Sequence, residues 1–415
     1  MLVRRTVAAR TVALAVVASA LAAGCGSKGE SAGGTSGDTL TLGASLSLTG
    51  PLAREGGLTK EGYEVCRRAV NGKGGVRVGD RRLRLAVKYQ DDTSKPDTAG
   101  QLIDQFNDQG VKLVLGPYGS AATEAAAAVV ERNGQVMADS SGADDTIFHK
   151  GYRRTFAVLS PARAYAASMV RAIDELAEPR PRTIAFLSAD DGFSKTVTGG
   201  GVDEARKLGF KVVATEYFPN GTSDVSSALT KVKSLKPDVI VSSAHLVEGI
   251  AVIKQSRELG VTPAGGFAET VAPPTPDFAG TLGKAAEGVL GSTQWTSRTA
   301  GKDRWIGTAA DYVTLFGKVY DGREPEYHAA EATAACVALV DAVEKAGATD
   351  ADKVRDALAA LDEPSFFGPL KFNAVGQNVS KTMEVIQVRA GKPVTVWPKD
   401  VAQAELKWPA TGSGS

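Results

Sequence analysis

TIAFLSADDGFSKTVTGGGVDEARKLGFKVVATEYFPNGTSDVSSALTKVKSLKPDVIVS occupies residues 183–242, and its rhythm decides the fold. Apolar runs at 183–188, 211–217 and 238–242 read as strands, and the stretches 194–208 and 224–234 between them read as amphipathic helices. Near-continuous apolar strands separated by helices predict a parallel sheet covered on both faces, with right-handed crossovers. The joints fit this reading. Gly209 permits a left-handed helix end, Thr222-Ser223-Asp224 offers N-caps, and Lys236-Pro237-Asp238 closes one helix and opens a strand.

The same alternation continues outward. Further strands are expected at 40–46, 83–89, 112–115 and 288–293. Further helices are expected at 57–71, 97–108, 120–132, 162–177 and 247–259. Asn71-Gly72-Lys73-Gly74-Gly75 ends the first helix, and Gly260 and Gly347 end later ones. The run 303–361 departs from the pattern and reads as consecutive helices at 303–320, 328–346 and 351–361. The tail returns to strand at 366–372, 382–389 and 393–397, with a turn at Gly391-Lys392-Pro393. A chain of 415 residues exceeds what one core usually holds, so two α/β lobes are expected.

Composition narrows the function classes. Lys+Arg number 48 against 47 for Asp+Glu, so no charge excess points to nucleic acid. No H-E-x-x-H zinc motif occurs, and only 3 His exist. Gly199-Gly200-Gly201 lies inside an expected helix and lacks the Lys-Ser/Thr of a phosphate loop. Asp91-Asp92 and Asp190-Asp191 fit helix capping or a surface role better than metal. The sequence asks for no cofactor, no metal and no catalytic residue.

The N-terminus reads as targeting. Arg4, Arg5 and Arg10 precede a short apolar run at 11–23, the pattern of a signal peptide over 1–24. Leu21-Ala22-Ala23-Gly24-Cys25 is similar to a bacterial lipobox, which makes Cys25 the lipidated residue. A plain signal peptide with an incidental Cys25 is the alternative. Residues 25–38 are Gly/Ser-rich and read as a flexible tether to the membrane anchor. Cys66 and Cys336 sit on apolar helix faces. They fit two buried thiols, and export also permits a disulfide.

Several stretches carry a family likeness. They are Ser47-Leu48-Thr49-Gly50-Pro51-Leu52-Ala53, Asn71-Gly72-Lys73-Gly74-Gly75-Val76, Tyr89-Gln90-Asp91-Asp92-Thr93-Ser94-Lys95-Pro96, Gly116-Pro117-Tyr118-Gly119-Ser120-Ala121-Ala122-Thr123 and Arg154-Thr155-Phe156. In order and spacing they resemble the branched-chain amino-acid-binding proteins, the leucine/isoleucine/valine-type receptors of ABC importers. The resemblance implies a type I periplasmic-binding-protein fold: two Rossmann-like lobes, three crossing segments and a ligand between the lobes. Mapped here, lobe one is 39–158 plus 297–375, and lobe two is 159–296 plus 376–410.

The same resemblance implies a site. Ser120 opens a helix of small residues, where free amides and the helix dipole suit a carboxylate; simple N-capping is the alternative. Ser141, Gly142 and Ala143 stand where the family surrounds the ligand's ammonium and carboxylate, although Ala143 replaces a Thr. An ordinary serine-rich turn is the other reading. Phe193 stands where a Tyr commonly lies against the ligand, or is a core aromatic capping a helix. His245, at a strand's end, is a ligand contact or a structural residue. Glu269 matches the residue that pairs with the ligand ammonium, or is a solvated loop Glu. Glu55 and His328 replace aromatics of the pocket.

The function implied is an exported, lipid-anchored binding protein that captures a small amino-acid-like ligand, a branched-chain or other hydrophobic amino acid first, by hinge closure. An ABC permease and ATPase subunits are its expected partners, and a monomer its expected state. An amide, urea or aromatic carboxylate is the alternative ligand. A ligand-sensing lipoprotein and a secreted hydrolase are the alternative classes.

Overall fold

The computed structural model describes residues 35–409. The signal peptide expected at 1–24, the Cys25 anchor and the tether as far as 34 lie outside the described residues. The tether does not extend to 38 as expected. Thr35–Ser36 already pairs antiparallel with Thr39 and Leu40 at the start of the strand Thr39–Leu46.

Two seven-stranded sheets organise the chain. In the first, Arg81–Asp91, Thr39–Leu46, Leu113–Leu115, Val136–Asp139 and Thr155–Ala157 lie side by side in parallel, with Val76–Val78 antiparallel at one edge. In the second, Lys211–Phe218, Thr183–Ala189, Val239–Ser243, Phe267–Glu269 and Leu290–Thr293 run in parallel. Glu384–Arg389 and Lys392–Trp397 then close that sheet antiparallel. The expected α/β order holds, and the short strands Val76–Val78, Thr155–Ala157 and Phe267–Glu269 were not separately expected.

Three segments run between the sheets and are laced together. Ala157 N–H donates to Gly376 O at 2.8 Å. Asn378 Nδ2 donates to Val158 O at 2.9 Å, and Ser160 Oγ donates to Lys381 O at 3.0 Å.

The run 303–361 is helical with one correction. Its first helix begins at Ala309, not 303. Asp303 accepts from Trp305 N–H and Ile306 N–H, which holds a turn there, and Thr308 with Asp311 forms a capping box that fixes the start. The strand expected at 366–372 is a hairpin of Asp362–Ser365 and Gly368–Lys371, outside both large sheets.

The helix Tyr327–Ala346 is the centre of the first core. Every residue from Tyr327 to Val343 is buried. Its many alanines favour helix and allow close packing. The helix Ala53–Gly72 approaches so closely that a Cβ on Gly62 would stand 2.1 Å from Ala329 O. Cys66 and Cys336 join these two helices by a disulfide with Cα atoms 6.2 Å apart, so the reading of two free thiols gives way to a bridge. Among the described residues no helix is long and apolar enough to cross a membrane.

Candidate functional site

The carboxyl ends of the parallel strands converge on one cleft. Ser47 follows Thr39–Leu46, Tyr118 to Ser120 follow Leu113–Leu115, and Ser141 follows Val136–Asp139. From the second sheet, Asp191 to Phe193 follow Thr183–Ala189, Gly221 follows Lys211–Phe218, and His245 follows Val239–Ser243. Open α/β sheets place ligands at such strand ends.

The cleft has an outer and an inner space. The outer one has a volume of about 230 Å³ and is lined by Leu52, Glu55, Ser120, Phe193, His245 and Glu248 among others. The inner one is about 10 Å³, close to one water-sized group, and is lined by Ser141, Tyr165, Tyr327, His328 and Glu331. Tyr118, Gly119, Ser120, Phe193 and His245 line both.

Ser120 begins the helix Ser120–Asn133, and Gly119 before it has φ +85°, a conformation that favours glycine. The Ser120 side chain does not cap this helix. Its Oγ accepts from Asp144 N–H at 3.1 Å. Phe193 is not the cap of its helix either, because Asp191 accepts from Ser194 N–H there. The Phe193 ring stands edge-on to Tyr165 at 5.5 Å and beside His245 at 5.4 Å. The Tyr118 hydroxyl lies 3.2 Å from His245 Nδ1 across the cleft.

Three expected residues line neither space. Gly142 N–H donates to both oxygens of Asp139, and Ala143 N–H donates to Ser141 O, so these amides are spent within their own turn. Burial pushes the Asp139 carboxyl up to about 6, against the pull of the N–H groups it accepts. Glu269 is fully buried at the end of Phe267–Glu269, which corrects the solvated-loop reading. Its carboxylate is enclosed beside the helix Leu246–Glu258, where a Cβ on Gly249 would stand 3.0 Å from Oε2. Among the described residues neither Glu269 oxygen has a partner at ordinary hydrogen-bond geometry, and burial raises its pKa well above the usual range, against the pull of the nearby Ser242 hydroxyl.

The cleft is acidic. Glu55, Glu124, Asp144, Asp191 and Glu248 line the outer space, and among the described residues no Lys or Arg lines either space. Most of these carboxylates have protein partners: Glu124 pairs with Lys150, Asp144 accepts from Thr196 Oγ1 at 3.0 Å, and Glu248 accepts from Gly221 N–H at 2.7 Å. Glu55 Oε1 accepts weakly from Leu246 N–H at 3.4 Å, and its Oε2 has no partner. Asp91 and Asp92 order the loop at 47–52 and the turn after them, accepting from Leu48 N–H, Ser47 Oγ and Ser94 N–H.

Glu331 was missed by sequence reasoning. It stands one helical turn beyond His328, on the same face of Tyr327–Ala346, and that i, i+3 spacing was the available signal. Its Oε1 accepts from Ser141 Oγ at 3.2 Å, and its Oε2 has no partner. Burial raises its pKa well above the usual range, and the Glu326 charge adds to this. Tyr118, Tyr165 and Tyr327 were missed as site residues too. Tyr118 lay within a stretch already singled out, 116–123.

Residues 39–393 match the sequence model of a family described as periplasmic binding protein. The Leu/Ile/Val-binding protein homolog 7 of Brucella suis is 25% identical over 389 residues, covering 89% of this chain and 94% of that protein. A leucine-binding protein LivK from Thermotoga maritima superposes with a TM-score of 0.76 at 20% identity, covering 86% of this chain and 97% of that one. A solute-binding protein of an ABC transporter from Rhodopseudomonas palustris, in complex with 3,4-dihydroxybenzoic acid, gives 0.74 at 18% identity, covering 88% and 99%.

Proposed function

The chain belongs to the periplasmic binding protein family, and from that premise we propose that it is the exported solute-binding subunit of an ABC importer, taking up a small amino-acid-like ligand. One observation carries this reading. Ser120, Ser141 and His328, from elements packed on the first sheet, and Phe193 and His245, from the second, meet around one cleft. A hydrophobic amino acid is the favoured ligand, consistent with the leucine-binding relatives. The ligand carboxylate meets Ser120 and the start of its helix, and Phe193 and His245 cover the ligand from the other side.

Hinge closure is the mechanism. Lobe one, 39–158 with 297–375, receives the ligand. Lobe two, 159–296 with 376–410, swings over it about the three crossing segments, and binding shifts the open–closed population. The chain acts as a binder and not as an enzyme, and the permease reads the closed form. Lipidation at Cys25, with 25–34 as tether, keeps the monomer at the outer membrane surface.

An aromatic carboxylate is the second reading, favoured by the rings of Tyr118, Tyr165, Phe193 and Tyr327 around the inner space and by the dihydroxybenzoate bound to one structural relative. A thermal-shift screen of the purified chain decides. L-leucine, L-isoleucine, L-phenylalanine, urea, benzamide and 3,4-dihydroxybenzoate are the probes. Stabilisation by an amino acid is expected, and stabilisation by acids lacking an amine alone would overturn the amino-acid reading.

A further inference from the structure

We propose that the inner end of the cleft is a pocket for one primary ammonium group, in which Glu331, and not Glu269, takes the positive charge of the ligand. The inference rests on ligand capture in this cleft and specifies the chemistry recognised there.

The inner space offers acceptors. Glu331 is 1% exposed and its Oε2 has no partner among the described residues. His328 is fully buried, and its Nε2 has no partner either. The other ring nitrogen, Nδ1, lies 2.5 Å from Glu326 Oε2. In the tautomer that donates there, Nε2 carries the ring's lone pair. Ser141 Oγ, already donating to Glu331, keeps lone pairs to offer. An ammonium carries three N–H donors and no acceptor, the complement of this set.

Size and surroundings agree. A volume of about 10 Å³ admits one small group and excludes methylated nitrogen. Tyr118, Tyr165, Phe193 and Tyr327 wall the space with rings, which stabilise a desolvated cation. The charged groups acting on Glu331 are Glu326, Asp139 and, most weakly, Lys381. Glu326 accepts both a ring and a backbone hydrogen bond from His328. Among the described residues no Lys or Arg forms an ion pair with Glu331, and an unpaired buried carboxylate is costly. Glu269 lines neither space, so the ammonium cannot reach it from this cleft as it stands.

Isothermal titration of wild type and Glu331→Gln with L-leucine, 4-methylpentanoate and isopentylamine tests the pocket. Those probes are the amino acid, its analogue lacking the amine and its analogue lacking the carboxylate. In the variant, leucine and isopentylamine should weaken by about thirtyfold or more while 4-methylpentanoate changes little. Tetramethylammonium should not bind either protein. Should Glu331→Gln fail to fold, His328→Phe removes the second acceptor and should show the same selective loss. Leucine binding equally to wild type and both variants overturns the ammonium pocket and leaves the amino-acid reading intact. Isopentylamine binding that depends on Glu331, with no binding of leucine, supports the pocket and overturns the amino-acid reading. No binding by any amine overturns both.

Discussion

Gln294 and Ser160 grip each other by a reciprocal pair of hydrogen bonds: Gln294 Oε1 accepts from Ser160 N–H at 3.0 Å, and Gln294 Nε2 donates to Ser160 O at 3.2 Å. Both residues are fully buried and belong to different segments between the sheets. Gln294→Leu removes both bonds and leaves the Ser160 backbone groups without partners. Each orphaned group costs about 1–3 kcal/mol, so unfolding free energy should fall by about 3 kcal/mol in urea titration. An unchanged midpoint would mean that the side chain holds nothing there.

The Cys66–Cys336 bridge closes a loop across a sequence separation of 270. In the chain-entropy picture so long a loop stabilises by up to about 5 kcal/mol. The joined helices already pack closely, so part of that is lost to residual structure in the reduced unfolded chain. Reduction should still lower the denaturation midpoint clearly, and Cys66→Ala with Cys336→Ala should lower it equally and remove the sensitivity to reductant. A midpoint indifferent to reductant would contradict a formed bridge.

Glu269 should make the protein less stable as pH rises. Its folded pKa is raised above the ordinary 4.5 because burial disfavours the charged form. Between the two pKa values the native state holds a proton that the unfolded state has released, so stability falls with increasing pH above about 4.5. Glu269→Gln removes that loss. Its melting temperature should exceed wild type at pH 8, with the gap closing by pH 4. An equal gap at both would assign the effect to packing.

How far the site could be read from sequence follows from periodicity. Strands such as Thr183–Ala189 and helices such as Ser120–Asn133 announced themselves by apolar rhythm, and strand ends then placed Ser120, Phe193 and His245 at the cleft. Three-residue strands such as Phe267–Glu269 are too short for any rhythm. For that reason nothing in the sequence decided between a Glu269 in the cleft and a solvated one. Glu331 was hidden differently. It sits in an alanine-rich helix that is buried all round, so no solvent-facing polar stripe set it apart and its spacing from His328 was the one mark it carried. Only tertiary packing brings it to Ser141, 190 residues earlier.

Phe193 and Tyr118 should separate apolar cover from cross-cleft hydrogen bonding. Phe193→Ala removes a ring that lines both spaces, and burial of such a ring is worth about 1.5–3 kcal/mol, or about tenfold to a hundredfold in affinity. Tyr118→Phe keeps the ring and deletes only the hydroxyl 3.2 Å from His245 Nδ1. A net hydrogen bond of about 1 kcal/mol predicts about a fivefold loss, read as faster dissociation. A larger loss in Tyr118→Phe than in Phe193→Ala would invert this ranking.

Ligand uptake should expel a proton. In the empty cleft burial holds the Glu331 carboxyl well above its ordinary range, and Glu326 and Asp139 push it the same way. That direction favours the neutral carboxyl in the empty cleft. An ammonium against it favours the ionised form, so binding couples to proton release, and affinity rises with pH until the empty-site pKa is passed. The coupling is read by repeating the leucine titration at pH 7 in phosphate and in Tris, whose heats of ionisation differ. Proton release is expected for wild type, and none from this group in Glu331→Gln. The variant leaves the rings of His328 and His245 in place, so a difference from wild type belongs to Glu331. Equal release in wild type and variant would move the proton, and with it the ligand's charge, away from Glu331.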